Sequence, residues 1–393
     1  MTPAARVQAS IEILDTIIDK ARIKGAPADR IIADWARSNR YAGSKDRRAI
    51  RELVYGAIRA CGPIPDTGRA AMLRLAEIDA ELKPLFDGSQ YGPPAIGDRE
   101  VPAKGGIAHS VVNKLLAASD IVGTEAGALL DRAPLDIRVN TLRADRGTLE
   151  LPEQGEELLA PQGLRFPSGT QVEQWQAFRE GQIEVQDHGS QWACSAVDAK
   201  PGETVIDLCA GAGGKTLSLA AAMDNCGTLI ASDTDKRRLG NLPPRAERAG
   251  AGVIETILLD PGKELEILAD FRGKADAVLV DAPCSGVGTW RRNPEARWRL
   301  DKAAVTEFSL LQSRLLGMAA QLVKPGGRII YVTCSLLDEE GSSRIDAFLT
   351  AHPGWQADAL DWPIGRPHGK GRRLTPFHDG TDGFFIARVT SPA

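Results

Sequence analysis

From residue 187 onward, short apolar runs alternate with helical stretches, and no other feature of the chain limits the available folds so sharply. Residues 204–208 (TVIDL), 228–232 (TLIAS), 256–259 (TILL), 277–280 (AVLV) and 328–333 (RIIYVT) are each bounded by turn or polar residues and read as buried strands. Residues 215–223, 236–249 and 303–322 read as helices between them. Strand and helix alternating in this way require crossover connections and a parallel sheet with helices on both faces. The expectation is an α/β fold whose main part, residues 187–393, is a doubly wound domain. Residues 383–389 (GFFIARV) supply a last strand.

The chain before it follows another rule. Ile11, Leu14, Ile17 and Ile18 recur at helical spacing, as do Ile31, Ile32 and Trp35, and then Ile50, Leu53, Val54, Ala57 and Ile58. The first sixty residues hold twelve Lys or Arg against seven Asp or Glu, a local net of +5, while the whole chain carries 48 against 52 and a net of −4. A nucleic-acid partner would have to be held by local patches. A Gly/Pro-rich stretch at 91–106 breaks the helical pattern, 135–141 (LDIRVNT) alternates as a strand, and polar 143–157 reads as a surface helix or linker. The expected organisation is a helical domain over 1–125, a small α+β module over 126–186 and the α/β domain over 187–393.

Apolar runs stay well short of the roughly 18 residues of a membrane span, and the first residues lack a signal-peptide pattern. The expectation is a cytoplasmic protein with no membrane partner. Cysteines stand singly at 61, 194, 209, 226, 284 and 334 without a C-x-x-C pair. Neither a disulfide framework nor a metal site is expected.

Chemistry concentrates in the loops after the strands. Cys209-Ala210-Gly211-Ala212-Gly213-Gly214-Lys215-Thr216 is a glycine-rich turn opening a helix, where free backbone N–H groups can meet a ligand. It is not a P-loop, because Cys209 stands where the first glycine belongs, and Thr216 stands where a dinucleotide motif needs its third glycine. Asp207 ends the strand before this loop, and Asp233, Asp260 and Asp281 end the next three, so the latter three should line the carboxyl edge of the sheet, where ligands bind. Asp233 at the second strand end suits ribose hydroxyls; otherwise it is a solvated strand cap.

Asp281-Ala282-Pro283-Cys284-Ser285-Gly286 and Thr333-Cys334-Ser335 follow two of the strands, accompanied in order by VQDHGSQ (185–191), GTWRRNPEARW (288–298), KPGG (324–327) and DGFFIAR (382–388). In these motifs the chain closely resembles the RsmB/NOP family of S-adenosylmethionine-dependent RNA 5-methylcytosine methyltransferases, strongly over about residues 130–393. SKDRRAIRELVYGAIR (44–59) resembles, less specifically, the helical NusB-like domain of bacterial members. The resemblance implies a Rossmann-like methyltransferase domain using S-adenosylmethionine, with Cys334 as nucleophile and Cys284 assisting product release. It further implies that 209–215 cradle the methionine part of the cofactor, that Asp233 takes the ribose, that Asp260 lies near the adenine, and that Asp281 bonds the base edge or cofactor region. The implied partner is RNA, small-subunit rRNA in the first place, with transfer RNA and a catalytically silent assembly factor as rivals; a monomer is expected. Two positions depart from the family: its AAPGG loop is here Ala210-Gly211-Ala212-Gly213-Gly214, and its ENE sequence is replaced by Asp338-Glu339-Glu340-Gly341.

Three basic patches could hold RNA: residues 290–299, with four arginines and two tryptophans, residues 366–373 (RPHGKGRR), and Lys45, Arg47, Arg48 and Arg51. For the first, the alternative is a basic turn whose tryptophans are anchored in a core.

Overall fold

The computed structural model describes residues 1–393. The chain forms two compact units, Met1–Asp131 with Thr289–Lys302, and Arg132–Gly288 with Ala303–Ala393. The three-part division expected above differs from this in two ways, and each has a physical cause.

In the first unit, helices Pro3–Arg22, Ala28–Ser38, Ser44–Ala60 and Gly68–Ile78 surround a core built from the helical-spaced residues, with Leu14, Ile17, Ile50, Val54 and Ile58 buried. Thr2 caps the first helix by accepting from the Ala5 amide, and Pro3 occupies a first-turn position where its missing N–H costs nothing. Residues Thr289–Lys302 complete this unit. Trp298 enters the helical core, and Arg297, fully buried, donates to the carbonyls of Ile58 (2.6 Å) and Cys61 at the end of the third helix. Glu295 accepts from the Ala28 amide (3.0 Å) at the start of the second helix. A cation at a helix C-terminus and an anion at an N-terminus satisfy the unpaired backbone groups there and match the helix dipoles. The Arg- and Trp-rich patch expected on an RNA surface is therefore mainly interior: Trp290, Arg291, Arg297 and Trp298 are all buried.

In the second unit, the four-stranded sheet of the expected α+β module comprises β1 (Leu135–Val139), β2 (Glu156–Glu157), β3 (Gly163–Phe166) and β4 (Ile183–Val185), in order β2-β3-β1-β4 and antiparallel. Residues 143–155 form turns and bends with no helix, and 156–157 are strand β2. The module is joined to the α/β part by buried polar contacts. Arg165 grips Asp136 (2.7 and 2.8 Å) and the Gly380 carbonyl, Asp136 accepts from the His188 amide, and Asn140 reaches the Ala249 carbonyl. These bonds make one unit of what the sequence divides in two.

The large sheet contains β5 (Thr204–Asp207), β6 (Thr228–Asp233), β7 (Ile254–Leu258), β8 (Ala275–Asp281), β9 (Val323–Thr333), β10 (Gln356–Asp358), β11 (Arg366–His368), β12 (Gly371–Leu374) and β13 (Phe384–Thr390). Its order is β11-β12-β13-β9-β8-β5-β6-β7, with β10 also on β13. Strands β5 to β9 are parallel, and β13 runs antiparallel beside β9. Alternate residues bury on opposite faces: Val205, Leu279 and Ile330 lie on one, Ile206, Val280 and Tyr331 on the other. Both faces are covered, as the continuous apolar runs require. No helix is long and apolar enough to cross a membrane.

Candidate active site

The strand order reverses at β5, and a cavity of about 290 Å³ opens beyond the carboxyl ends of the strands there. Leu208 and Cys209 after β5, Asp233 at the end of β6 and Asp235 beyond it, Leu259 after β7, Asp281 at the end of β8 with Ala282 to Cys284 beyond it, and Cys334 after β9 all line it. Because β8 and β9 pair in parallel with Asp281 opposite Val332, the loops that follow bring Cys284 and Cys334 together. Their sulfurs are 3.4 Å apart. The hydrogen bond with Cys334, burial, and the charges of Cys334 and Glu340 hold Cys284 well above the ordinary thiol range, so it stays protonated.

The glycine loop follows β5 in a tight path. Gly211 and Gly213 have φ of +56° and +82°, and a Cβ on Gly213 would lie 2.1 Å from Leu242. The Gly211 amide donates to Asp233 Oδ2 (2.8 Å), and Asp233 Oδ1 accepts from the Asp235 amide (2.7 Å). Asp233 is thus nearly buried, faces the cavity and fixes the loop's shape. Of the loop itself, Cys209 reaches the cavity wall, whereas Ala210, Gly211, Ala212, Gly213, Gly214 and Lys215 do not line it. Burial, and then the charges of Asp207, Asp233 and Asp281, raise the Cys209 thiol well above its ordinary range.

Lys215 is not a surface lysine: its ammonium donates to Asp281 Oδ2 at 2.7 Å. Burial alone would favour the neutral amine, but Asp281 and the neighbouring sulfurs outweigh it and keep Lys215 charged. Asp207 is fully buried behind the pair, with one oxygen accepting from the Thr216 hydroxyl (2.7 Å). Asp260 is exposed and stands outside the cavity lining. The arginines of 366–373 are also partly committed: Arg372 binds four backbone carbonyls and buried Arg373 binds Asp338 and the Leu336 carbonyl. Lys45, Arg47, Arg48 and Arg51 remain exposed on their helix.

Sequence reasoning missed the cavity's second wall. Leu311, Arg314, Leu315 and Met318 come from helix Lys302–Leu322, and Arg314 pairs with Glu264 at 2.8 Å. Their helical periodicity is that of any core-facing helix, so no local signal separates them.

The sequence profile of the family described as 16S rRNA methyltransferase RsmB/F matches residues 194–390. The chain belongs to this family. The RsmB/F relatives include the Synechocystis protein named "Probable ribosomal RNA small subunit methyltransferase B", 35% identical over 274 residues, with 65% of this chain and 59% of that protein covered. The ribosomal RNA small subunit methyltransferase B of Xanthomonas campestris is 34% identical over 263 residues, again covering 65% of this chain and 59% of the relative. The match thus spans well under two thirds of these relatives' length. The crystal structure of PH0851 superposes with a TM-score of 0.74 at 26% identity and covers 99% of both chains. RsmB/F membership and this likeness agree with the Rossmann-like architecture of the second unit.

Proposed function

We propose that the chain is an S-adenosylmethionine-dependent RNA cytosine-5 methyltransferase acting on small-subunit rRNA, as a cytoplasmic monomer. The observation that carries this reading is the pair of cysteine sulfurs 3.4 Å apart at the cavity of a parallel sheet. Membership of the RsmB/F family supports the choice of RNA.

The cavity fits the cofactor in kind. Leu208, Leu259, Leu315 and Met318 offer apolar walls for an adenine, and the Asp233 carboxylate can accept from ribose hydroxyls. The cofactor supplies an electrophilic methyl group; the protein must make cytosine a nucleophile. The Cys334 thiolate adds to carbon 6 of the base, and the electron pair moved to carbon 5 then takes the methyl group. Carbon 5 must next lose its proton before Cys334 can be expelled. Cys284, touching Cys334, is placed to assist that release. Asp281, oriented by Lys215, faces the cavity and can accept from the base edge. The target base has to be unstacked to reach both sulfurs, which favours loops over duplex. The exposed Lys45, Arg47, Arg48 and Arg51 supply the phosphate-binding surface in this reading.

Bisulfite mapping of RNA from cells lacking the protein tests the function. The expected result is loss of a 5-methylcytosine from small-subunit rRNA; loss from transfer RNA alone would move the reading to its rival, and an unchanged map would sink it. Cofactor placement is tested by calorimetry. Asp233→Ala should weaken S-adenosylmethionine about tenfold or more, since a hydrogen bond to a charged acceptor is worth about 1.5–3 kcal/mol. Asp260→Ala, at an exposed position off the cavity, should change it by no more than about twofold. Equal effects would place the ribose elsewhere.

A further inference from the structure

Glu340 lies on a short 3-10 turn, Asp338–Glu340, between Cys334 and the helix Ser342–Ala351, and is completely buried. Its side chain does not line the cavity. It lies instead behind the loop that carries Cys284. Oε1 accepts from the Ser285 amide (2.8 Å) and from Gln312 Nε2 (3.3 Å), while Oε2 accepts from the Ser285 hydroxyl, which also meets the Ser335 hydroxyl at 3.1 Å. Gln312 donates from the same nitrogen to the Pro283 carbonyl at 2.9 Å. Both neighbours of Cys284 are therefore tied, directly or through one amide, to a single carboxylate. The Tyr331 hydroxyl donates to the Glu340 carbonyl (2.7 Å) and fixes the turn from below.

We propose that Glu340 is a positioning residue that decides which of the two facing sulfurs keeps its proton: its carboxylate holds the hydrogen on Cys284 and leaves the thiolate to Cys334. Two equal thiols in contact share one proton without preference, and a negative charge beside one of them breaks the tie. The ionisable groups around Cys284 and the turn behind it are Cys334, Glu340, Tyr331, Asp281 and Arg344. Tyr331 is held neutral, because burial first and then the charges of Cys284 and Glu340 push its phenol far up. The nearby cation, Lys215, pairs with Asp281 and also acts on Cys334, where it favours the same thiolate, and Arg314 across the cavity is paired with Glu264. The remaining cation, Arg344 on the helix Ser342–Ala351, acts on Tyr331 and donates to the Ser313 hydroxyl (3.0 Å). The neutral Cys284 thiol can then donate its hydrogen toward the Cys334 thiolate, which stabilises the attacking form.

The inference rests on Cys334 being the attacking sulfur, but its test needs neither RNA nor cofactor. The full chain is treated with iodoacetamide across about pH 6 to 10, and each cysteine is followed by mass spectrometry, since only thiolates react. In the unaltered protein Cys334 should be modified at lower pH than Cys284. In Glu340→Gln, which keeps the shape and an oxygen for the Ser285 amide, the pH of half-modification of Cys284 should fall by about 1 or more, with a smaller change at Cys334. Glu340→Asp, which keeps the charge, should restore the original order. A thermal melt confirms folding of each variant. Unchanged Cys284 reactivity in a folded Glu340→Gln overturns the proposal, and so does modification of Cys284 before Cys334 in the unaltered protein, an outcome that requires no variant. An intact order of reactivity with an unchanged bisulfite map would sink the methyltransferase reading while leaving the proton placement standing.

Discussion

Cys334→Ala is expected to abolish methyl transfer, by about 10⁴-fold or more, and to form no adduct with RNA. Without sulfur at carbon 6 the cytosine ring has no electron pair to offer at carbon 5, so the loss falls on the chemical step and not on substrate binding. Cys284→Ala should behave differently. In the proposed mechanism its sulfur serves only the release that follows addition and methylation, so the variant should methylate once and then stall. The stalled species is protein covalently joined to RNA, visible as a retarded band on a denaturing gel. The double variant should show none. Contact between the sulfurs at 3.4 Å makes the contrast sharp, because either could attack on geometry alone. Adduct in Cys334→Ala would reverse the two roles.

The second large effect concerns stability and pH. Burial, helped by the charge of Asp281 and opposed by the Thr216 hydroxyl, pushes the Asp207 carboxyl from its ordinary 3.8 up to about 7. Because the folded value is the higher, the folded state binds the proton more tightly than the unfolded chain. The associated stability is fully present below about pH 4 and is lost as pH rises through 7. A difference of about three pH units corresponds to about 4 kcal/mol. Asp207→Asn keeps an oxygen for Thr216 and carries no proton to lose, so it should remove that dependence. Urea denaturation at mildly acidic and mildly alkaline pH measures it. The gap between variant and unaltered protein should grow with pH in the variant's favour, whatever constant cost the new amide brings. Parallel curves would mean that Asp207 is ionised without penalty.

The strand ends of the main sheet were readable because a doubly wound fold ties function to the carboxyl edge. An acid or cysteine directly after an apolar run has one place to go, and Asp233, Asp281, Cys284 and Cys334 all reach the cavity. Asp260 shows the limit of that rule. It follows β7, the outermost parallel strand, and an edge strand ends at the rim of the cleft. Residues 290–299 were ambiguous for a different reason. Arginine and tryptophan in proximity are what a base-stacking surface needs, and also what two open helix ends and an apolar core need. Glu340 was visible only as part of a replaced motif. Its partner Ser285 is 55 positions away, and a contact across that separation leaves no periodicity.

The placement of Thr289–Lys302 also has a consequence in time. The helical unit begins with the first residues of the chain, yet Trp298 of its core and both charged caps, Glu295 and Arg297, come more than 150 residues after its fourth helix. A chain emerging in order can assemble those helices early but cannot close their ends until β8 and the Cys284 loop have been made. The helical unit therefore has to wait, with two helix termini open to water, for a segment that arrives directly after the Cys284 loop. Its completion reports that the loop bearing Cys284 has been synthesised, so the helical unit is closed only after β1 to β8 of the other unit have been made.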